Sequence, residues 1–178
     1  MIKIYDLNKN LIGGTENLKE TQIESTLSTG DKVLSFSYHI NNKIKLCEEM
    51  YIQTQTDEFV IKEIVKKQKG FREIKAVLNL EELEGKPWET FESTDHTITE
   101  CANLALVGTG WRVGECLITK KRNVKLTNTD SYKILEQLCK SYNAEIKFDT
   151  LNKIVYFAEE IGEDRGVYFS DSLNLKSV

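Results

Sequence analysis

The stretch Thr97-Ile-Thr-Glu-Cys-Ala-Asn-Leu-Ala-Leu-Val-Gly108-Thr-Gly-Trp-Arg-Val-Gly114 decides the fold expected for this chain of 178 residues. Thr97 and Glu100 have the spacing of a capping box, which predicts that a helix begins there. Gly108 is a natural residue to end that helix, so the glycine-rich part that follows is predicted to turn into a strand. Apolar residues recur between these points at the spacing of one helix face: Ile98, Cys101, Ala102 and Ala105.

A second amphipathic helix is predicted further along the chain. It begins near Thr129–Ser131, where three residues in succession can cap a helix, and Asn143 can take the left-handed conformation that ends it. Its buried stripe is predicted to contain Ile134, Leu135, Leu138, Cys139 and Tyr142.

Short strands are predicted around these helices. Alternating residues in Ala144–Phe148 and Ile154–Phe157 predict a hairpin after the second helix. Between the two helices, three further strands are predicted at Trp111–Val113, Cys116–Ile118 and Val124–Leu126. The order of helix, strands, helix and hairpin describes a compact α+β unit, in which Trp111 is predicted to pack against the first helix.

The first 80 residues are predicted to consist mostly of strands. Leu34, Phe36 and Tyr38 alternate with serines, which is typical of a half-buried strand. Turn residues separate several such runs, a pattern that predicts a small barrel or sandwich. The charged stretch Glu81–Pro87, which contains the only proline, is interpreted as a domain boundary or crossover. The other predicted strands include Lys43–Cys47, Tyr51–Thr54, Phe59–Lys66 and Ile74–Leu80.

Composition limits the classes of function. The chain has 24 basic and 28 acidic residues, a formal net charge of −4, so it lacks the basic balance typical of nucleic-acid binding. The basic run Lys120–Arg122 is interpreted as a solvated turn. No run approaches the roughly 18 apolar residues of a membrane span, and the N-terminus lacks a signal peptide. A soluble protein that is not secreted by the usual signal is therefore expected.

The cysteines are expected to be reduced and structural. Cys47, Cys101, Cys116 and Cys139 include no C-x-x-C pair, so they do not resemble a zinc site. A cysteine peptidase would have to pair Cys101, Cys116 or Cys139 with His39 or His96. Core packing is the preferred interpretation, because the helical cysteines lie on apolar faces and a reactive thiolate needs an electropositive, partly exposed setting.

Other candidate sites also have structural interpretations. A metal site built from Glu92, Asp95, His96 and Glu100 is conceivable, but a solvated helix start is preferred. Gly108–Gly114 follows a helix and opens a strand, the reverse of a phosphate-binding loop. The neighbouring carboxylates Glu81/Glu82 and Glu159/Glu160 are interpreted as solvated. The sequence thus predicts no catalytic, cofactor-binding or metal-binding residue.

Several segments, taken in order, resemble the prophage endopeptidase tail family, also called phage tail-associated lysins. The helix from Thr97 followed by Gly108–Gly114 is the most distinctive match. The resemblance covers nearly the whole chain. It is to the N-terminal hub region of the proteins in that family. The other segments that carry it are Leu34–Tyr38, Glu58–Ile64, Ala76–Leu80, Leu135–Leu138, Ala144–Phe148, Asp164–Val167 and Asn174–Lys176.

The resemblance implies an α+β fold like that of phage baseplate hubs. Residues 1–80 would form a β-barrel-like hub domain, and residues 85–162 an inserted α+β domain of two helices on a small sheet. Residues 163–178 would be a strand returning towards the barrel region. A second barrel and a C-terminal lytic or receptor-binding module are expected to be missing from this chain, which looks truncated.

The resemblance also implies a structural role without catalysis. The chain would join the distal tail ring to the tail tip, as a virion component located in the host cytoplasm before assembly. Its expected partners are itself, as a trimer in the full-length protein, the distal tail protein ring and, as a further candidate, the tape-measure protein. Two alternatives remain open: a fragment of a peptidoglycan-degrading tail endopeptidase, and a carbohydrate-binding receptor module.

Overall fold

The first half of the chain forms one seven-stranded antiparallel sheet. The structure, a computed structural model, describes residues 2–15, 18–66 and 70–161. The sheet order is β2-β1-β5-β6-β7-β4-β3. Alternating apolar residues explain its buried face, because successive side chains of a strand point to opposite sides. The strands are β1 Ile2–Tyr5, β2 Leu11–Thr15, β3 Lys19–Ser25, β4 Lys32–His39, β5 Tyr51–Gln53, β6 Glu58–Lys66 and β7 Phe71–Leu78.

The predicted barrel is a curled half-barrel. Closure would require β2 to pair with β3, but these strands lie at opposite edges of the sheet. A bulge interrupts β3: Lys19 lies opposite Ser37, but Gln22 lies opposite Ser35. Glu20, inside this bulge, has a φ of 52°. Bulges twist an edge strand away from regular pairing, which agrees with a sheet that stays open.

Two local predictions in this half are wrong. Lys43–Cys47 is not a strand but an irregular segment in which Leu46 is buried, and the hydroxyl of Tyr38 donates to the carbonyl of Ile44 over 3.1 Å. Its apolar residues therefore reflect packing in the core instead of sheet pairing. The pair Gly13-Gly14, which as a sequence pattern interrupts the strand signal, lies inside β2, and Gly13 pairs with Ile4 beside a register shift.

The second half forms two small sheets and two main helices. One sheet pairs β8 with β10, and the other has the order β11-β12-β9, in which β9 runs parallel to β12. Among the described residues, no helix is long and apolar enough to cross a bilayer. The elements are α1 Glu81–Glu84, β8 Pro87–Thr97, α2 Ile98–Ala105, β9 Arg112–Val113, β10 Lys121–Asp130, α3 Ser131–Tyr142, β11 Glu145–Asp149 and β12 Ile154–Ala158.

Both predicted main helices are confirmed with their N-terminal caps, although α2 reaches its C-cap at Leu106, two residues before the predicted stop at Gly108. The Thr97 hydroxyl oxygen accepts from the Glu100 amide, and the Glu100 carboxylate accepts from the Thr97 amide over 2.7 Å. Asp130 caps α3, and Asn143 ends it in the left-handed conformation with a φ of 53°. Every residue predicted for the two apolar faces is buried.

The strands of the second half were predicted less well. Cys116–Ile118 is not a strand, and the long strand β8 was not predicted at all. The short helix α1 occupies the predicted boundary at Glu81–Pro87. The division into domains at residues 80 and 85 stays a prediction. The predicted strand Asp164–Phe169 and the returning segment 163–178 lie outside the described residues.

Candidate functional site

Cys101 lies in a buried polar cluster. Its sulfur is 3.1 Å from the Ser93 hydroxyl and 3.4 Å from the Tyr142 hydroxyl. The Tyr142 hydroxyl donates in turn to the main-chain carbonyl of His96 over 2.5 Å. The contact with His96 thus runs through its backbone, whereas a nucleophile and its base would pair thiol with imidazole. This cluster connects β8, α2 and α3.

The other cysteines do not form a nucleophilic centre either. Burial, with a smaller effect of Glu136, raises the pKa of the Cys139 thiol to about 12, so the thiolate is suppressed at neutral pH. Cys47 is exposed and Cys116 half-buried, and all four cysteines are free. The His39 ring packs edge-on against Phe71 and accepts from the Asn41 amide over 3.1 Å.

The acidic residues considered as metal ligands bind separate partners. Glu92 pairs with Lys125 at 2.8 Å, and Asp95 pairs with Lys121 at 3.6 Å. Hydrogen bonds from Thr97 lower the pKa of Glu100, consistent with its capping role. In the described ranges, no three His, Cys, Asp or Glu residues are placed to hold a metal ion.

These groups also differ from their predicted setting. Glu92, Asp95 and His96 belong to β8, so the expected solvated helix start is in fact the end of a strand. The basic run Lys120–Arg122 likewise enters β10 instead of forming a turn. Lys120 pairs with Glu159 at 2.7 Å.

The glycine-rich loop packs the interior, and Trp111 is buried as expected of a packing residue, with its ring contact on Phe148 of β11. Trp111 is 6% exposed, and its ring meets Phe148 edge-on with centroids 5.9 Å apart. Gly110 has a φ of 81°, which permits the turn into β9. Gly114 lies directly on Tyr156, since a Cβ at this position would be 2.5 Å from that ring. The loop therefore has the geometry of close packing and does not open a helix.

The neighbouring carboxylates Glu81 and Glu82 are not simply solvated, contrary to expectation. Glu82 forms a half-buried ion pair with Lys153. Burial acts to raise the pKa of Glu82, but the hydrogen bonds that this carboxylate accepts, first of all from Lys153, together with the charge of Lys153 outweigh that effect, and the pKa lies below its usual value. Glu81 accepts from the Tyr51 hydroxyl over 3.2 Å. These carboxylates therefore join segments that are distant in sequence.

The β3–β4 turn connects the large sheet to the α+β unit. Gly30 lies on the Phe148 ring, because a Cβ there would be 2.6 Å from a ring carbon. The Tyr132 hydroxyl donates to the Asp31 carboxylate over 2.7 Å. The amide of Ile146 donates to the carbonyl of Leu27 over 3.2 Å. We call this contact region the junction.

A second turn of the large sheet completes the junction. The Glu58 amide donates to the Thr150 hydroxyl over 2.7 Å. Lys32 and Asp57 form an ion pair of 2.8 Å that connects the two turns, with the Asp57 side chain only 5% exposed. Thr29-Gly30-Asp31 is a turn-forming run in the sequence, but no residue type in it signals the surface on which the turn docks.

Both edge strands of the large sheet are accessible among the described residues. The strand β2 has no charged residue, and its Leu11 and Ile12 are 59% and 41% exposed. The strand β3 is exposed throughout and contains Ile23 at its edge. Free strand edges can pair with another chain, so these edges are candidates for contacts in an assembly.

Comparisons with known proteins agree with this architecture. Residues 84–157 match the family model described as the prophage endopeptidase tail domain. The fold is similar to that of prophage tail protein gp18 from Listeria monocytogenes EGD-e, with a TM-score of 0.65 and 17% identity over 88% of this chain and 49% of that one. It is also similar to that of the tail protein from Neisseria meningitidis MC58, with a TM-score of 0.57 and 11% identity over 94% of this chain and 52% of that one.

The chain spans about half the length of each of these two solved proteins. No curated protein matches the sequence. The similarity to the solved structures concerns the fold, and the match to the family concerns residues 84–157. The resemblance expected from the sequence is confirmed: this chain contains a segment that matches the prophage endopeptidase tail domain, within a fold shared with phage tail proteins.

Proposed function

We propose that this chain is a structural component of a phage or prophage tail tip, part of a baseplate hub that joins the distal tail ring to the tip. The observation that carries the proposal is the open half-barrel fastened to an α+β unit, an arrangement shared with tail proteins. A connector between two tail parts must transmit force without separating internally, and the junction supplies several independent contacts for this purpose.

The contacts of the candidate catalytic residues support a structural role. The thiol of Cys101 and the carboxylates of Glu82 and Glu92 are each engaged with a neighbouring protein group. Such contacts hold elements together, and none of them pairs a nucleophile with a general base. We therefore assign no catalytic residue to the described part of the chain.

The proposed assembly is a trimer in the full-length protein. Closed rings are the common symmetric solution for repeated subunits, and a trimer with two related barrels per subunit could match a sixfold ring. The proposed partners are further copies of the protein, the distal tail protein ring and the tape-measure protein. The proposed location is the virion tail tip, with the host cytoplasm as the site of synthesis.

A binding experiment tests this role. The full chain is mixed with the distal tail protein encoded in the same phage genome, and the mixture is examined by size-exclusion chromatography with light scattering. The hub proposal expects a complex, with lower affinity after Ile12→Asp at the free β2 edge. The exposed residue Val107 supplies a matched control, Val107→Asp, which should bind normally. If the two purified proteins do not bind each other at high micromolar concentration, the proposal is contradicted.

The alternative function is a fragment of a peptidoglycan-degrading endopeptidase, favoured by the description of the matching family. Incubation of purified cell walls with the chain distinguishes the two proposals. Release of muropeptides that is abolished by Cys101→Ala, while the unfolding midpoint remains close to that of the wild type, would favour the enzyme. A structural hub should release none.

A further inference from the structure

Two cations lie side by side on the inner face of the large sheet, where its apolar core ends. The last apolar row of this face crosses β6, β7 and β4 through Ile64, Ile74 and Phe36. Side chains two positions apart share a face, so the next row consists of Lys66, Arg72 and Tyr38. Lys66 lies directly opposite Arg72, and like charges in this position destabilise a sheet. An anion bound beside Arg72 would relieve the repulsion.

A small cavity lies beside Arg72. Its volume is about 130 Å³. A cavity of roughly 150 Å³ admits a molecule of the size of benzene, so a ligand of about six heavy atoms is the size that fits. The walls are aliphatic and come from Ile40, Ile44, Leu46 and Ile74.

The polar groups of the cavity carry positive charge. Arg72 is half-buried, and the ammonium group of Lys45 donates to the Ile40 carbonyl at the rim. Among the described residues that line the cavity, none is acidic. Glu73 follows Arg72 in the chain but belongs to the opposite face of β7, because side chains alternate along a strand. The cavity therefore offers two cations to a ligand.

The cavity can be entered from the solvent. Ile40 is 43% exposed, and Lys45 is exposed as well. Both residues belong to the irregular segment that follows β4, so the entrance lies at the end of the strand, away from the core. A ligand would pass these two side chains before it meets Arg72.

We propose that this cavity binds a carboxylate on a short aliphatic stem, the glutamate side chain of a partner protein. The Arg72 guanidinium presents paired N–H donors that match the two oxygens of a carboxylate. The Lys45 ammonium has three donors, so it can bind the same group while it donates to the Ile40 carbonyl. The aliphatic walls would cover the methylene groups of the stem. An inorganic phosphate ion has no stem and would leave these walls uncovered.

Butyrate tests the proposal on the full chain, because it reproduces a glutamate side chain from the Cα atom outwards. NMR follows the Nε–H signals of the four arginines during titration. The Arg72 signal should shift and reach saturation with butyrate, but not with butyramide, which has the same size and no charge. A glycine-glutamate-glycine tripeptide capped at both ends should shift the same signal, and its glutamine counterpart should not. Inorganic phosphate should bind more weakly than butyrate.

Substitutions of two arginines supply the matched comparison, with binding followed at the Ile40 amide. Arg72→Gln should weaken butyrate binding about tenfold or more, since a bidentate, charge-assisted contact is lost. Arg72→Lys retains the charge without the paired donors and should bind with intermediate affinity, which also serves if the glutamine variant fails to fold. Arg112→Gln, at an exposed residue of β9, should bind butyrate as the wild type does.

Four results would overturn the proposal. These are the absence of saturable binding of butyrate, equal binding of the uncharged counterparts, tighter binding of phosphate, and wild-type affinity in both Arg72 variants. Binding of butyrate without binding of the capped glutamate tripeptide would also overturn it, because a partner's chain could not then reach the cavity. None of these results depends on binding to the distal tail ring.

Discussion

Replacement of Gly30 by alanine should weaken the junction more than an ordinary glycine substitution would. Gly30 has a φ of 75°, and a Cβ there would lie 2.6 and 2.8 Å from two carbons of the Phe148 ring. The left-handed conformation costs a non-glycine residue about 1–2 kcal/mol. Forcing a methyl group into a packed core costs about 1–3 kcal/mol more. We therefore expect Gly30→Ala to lower the free energy of unfolding by about 2–5 kcal/mol.

Gly110 provides a control with nearly the same backbone conformation. Its φ is 81°, but a Cβ at this position would meet nothing within 4 Å. Gly110→Ala should therefore show only the conformational cost, about 1–2 kcal/mol. The difference between the two variants isolates the contact with Phe148 and, at 3.1 Å, with Ile146, because the backbone term is common to both.

Urea unfolding monitored by circular dichroism measures both variants. The midpoint should fall further for Gly30→Ala, with little change of the denaturant slope. In a Phe148→Leu background the excess cost of Gly30→Ala should shrink, because part of the opposing ring is removed. Equal destabilisation by Gly30→Ala and Gly110→Ala would refute the reasoning, because it would mean that the turn does not rest on Phe148.

Three further predictions concern stability and reactivity. Leu138→Ala should lower the free energy of unfolding by about 2–5 kcal/mol, because this side chain is completely buried; an unchanged urea midpoint would contradict its position in the core. A thiol reagent at neutral pH should modify exposed Cys47 rapidly in the folded protein and buried Cys139 only after unfolding, and mass spectrometry should then find four free thiols. Lys153 lowers the folded pKa of Glu82, so this pair stabilises the fold above the ordinary carboxyl pKa and loses its effect as the pH falls through the folded value. Glu82→Gln should therefore destabilise the fold at pH 7 by no more than about 1 kcal/mol, and a difference from the wild type that persisted in acid would exclude this cause.

Local signals explain which parts of the fold could be predicted. The caps of α2 and α3 and the periodicity of their apolar faces depend on residues a few positions apart, so they are visible in one sequence. The β11–β12 hairpin has a similar local signal in its alternation. These elements, and the packing role of Trp111, agree with the structure.

The remaining features depend on contacts between distant residues. The strand β8 was missed because Phe91 is the single large apolar residue buried within it, so that pairing with β10 determines the strand. The first strands were expected to form a barrel or sandwich, but the alternation of apolar residues along a strand does not reveal which strand edges pair. The junction arises where separate segments meet, and no residue type in it marks its partner in advance.

Direct localisation in the virion tests the central claim. Antibodies raised against the full chain are applied to intact phage particles, and electron microscopy locates the label, with particles that lack the gene as the control. The account predicts label confined to the distal end of the tail, beside the distal tail ring, and its loss from the control particles. Label along the tail tube or on the capsid, or particles that contain none of the protein, would contradict a role in the tail tip.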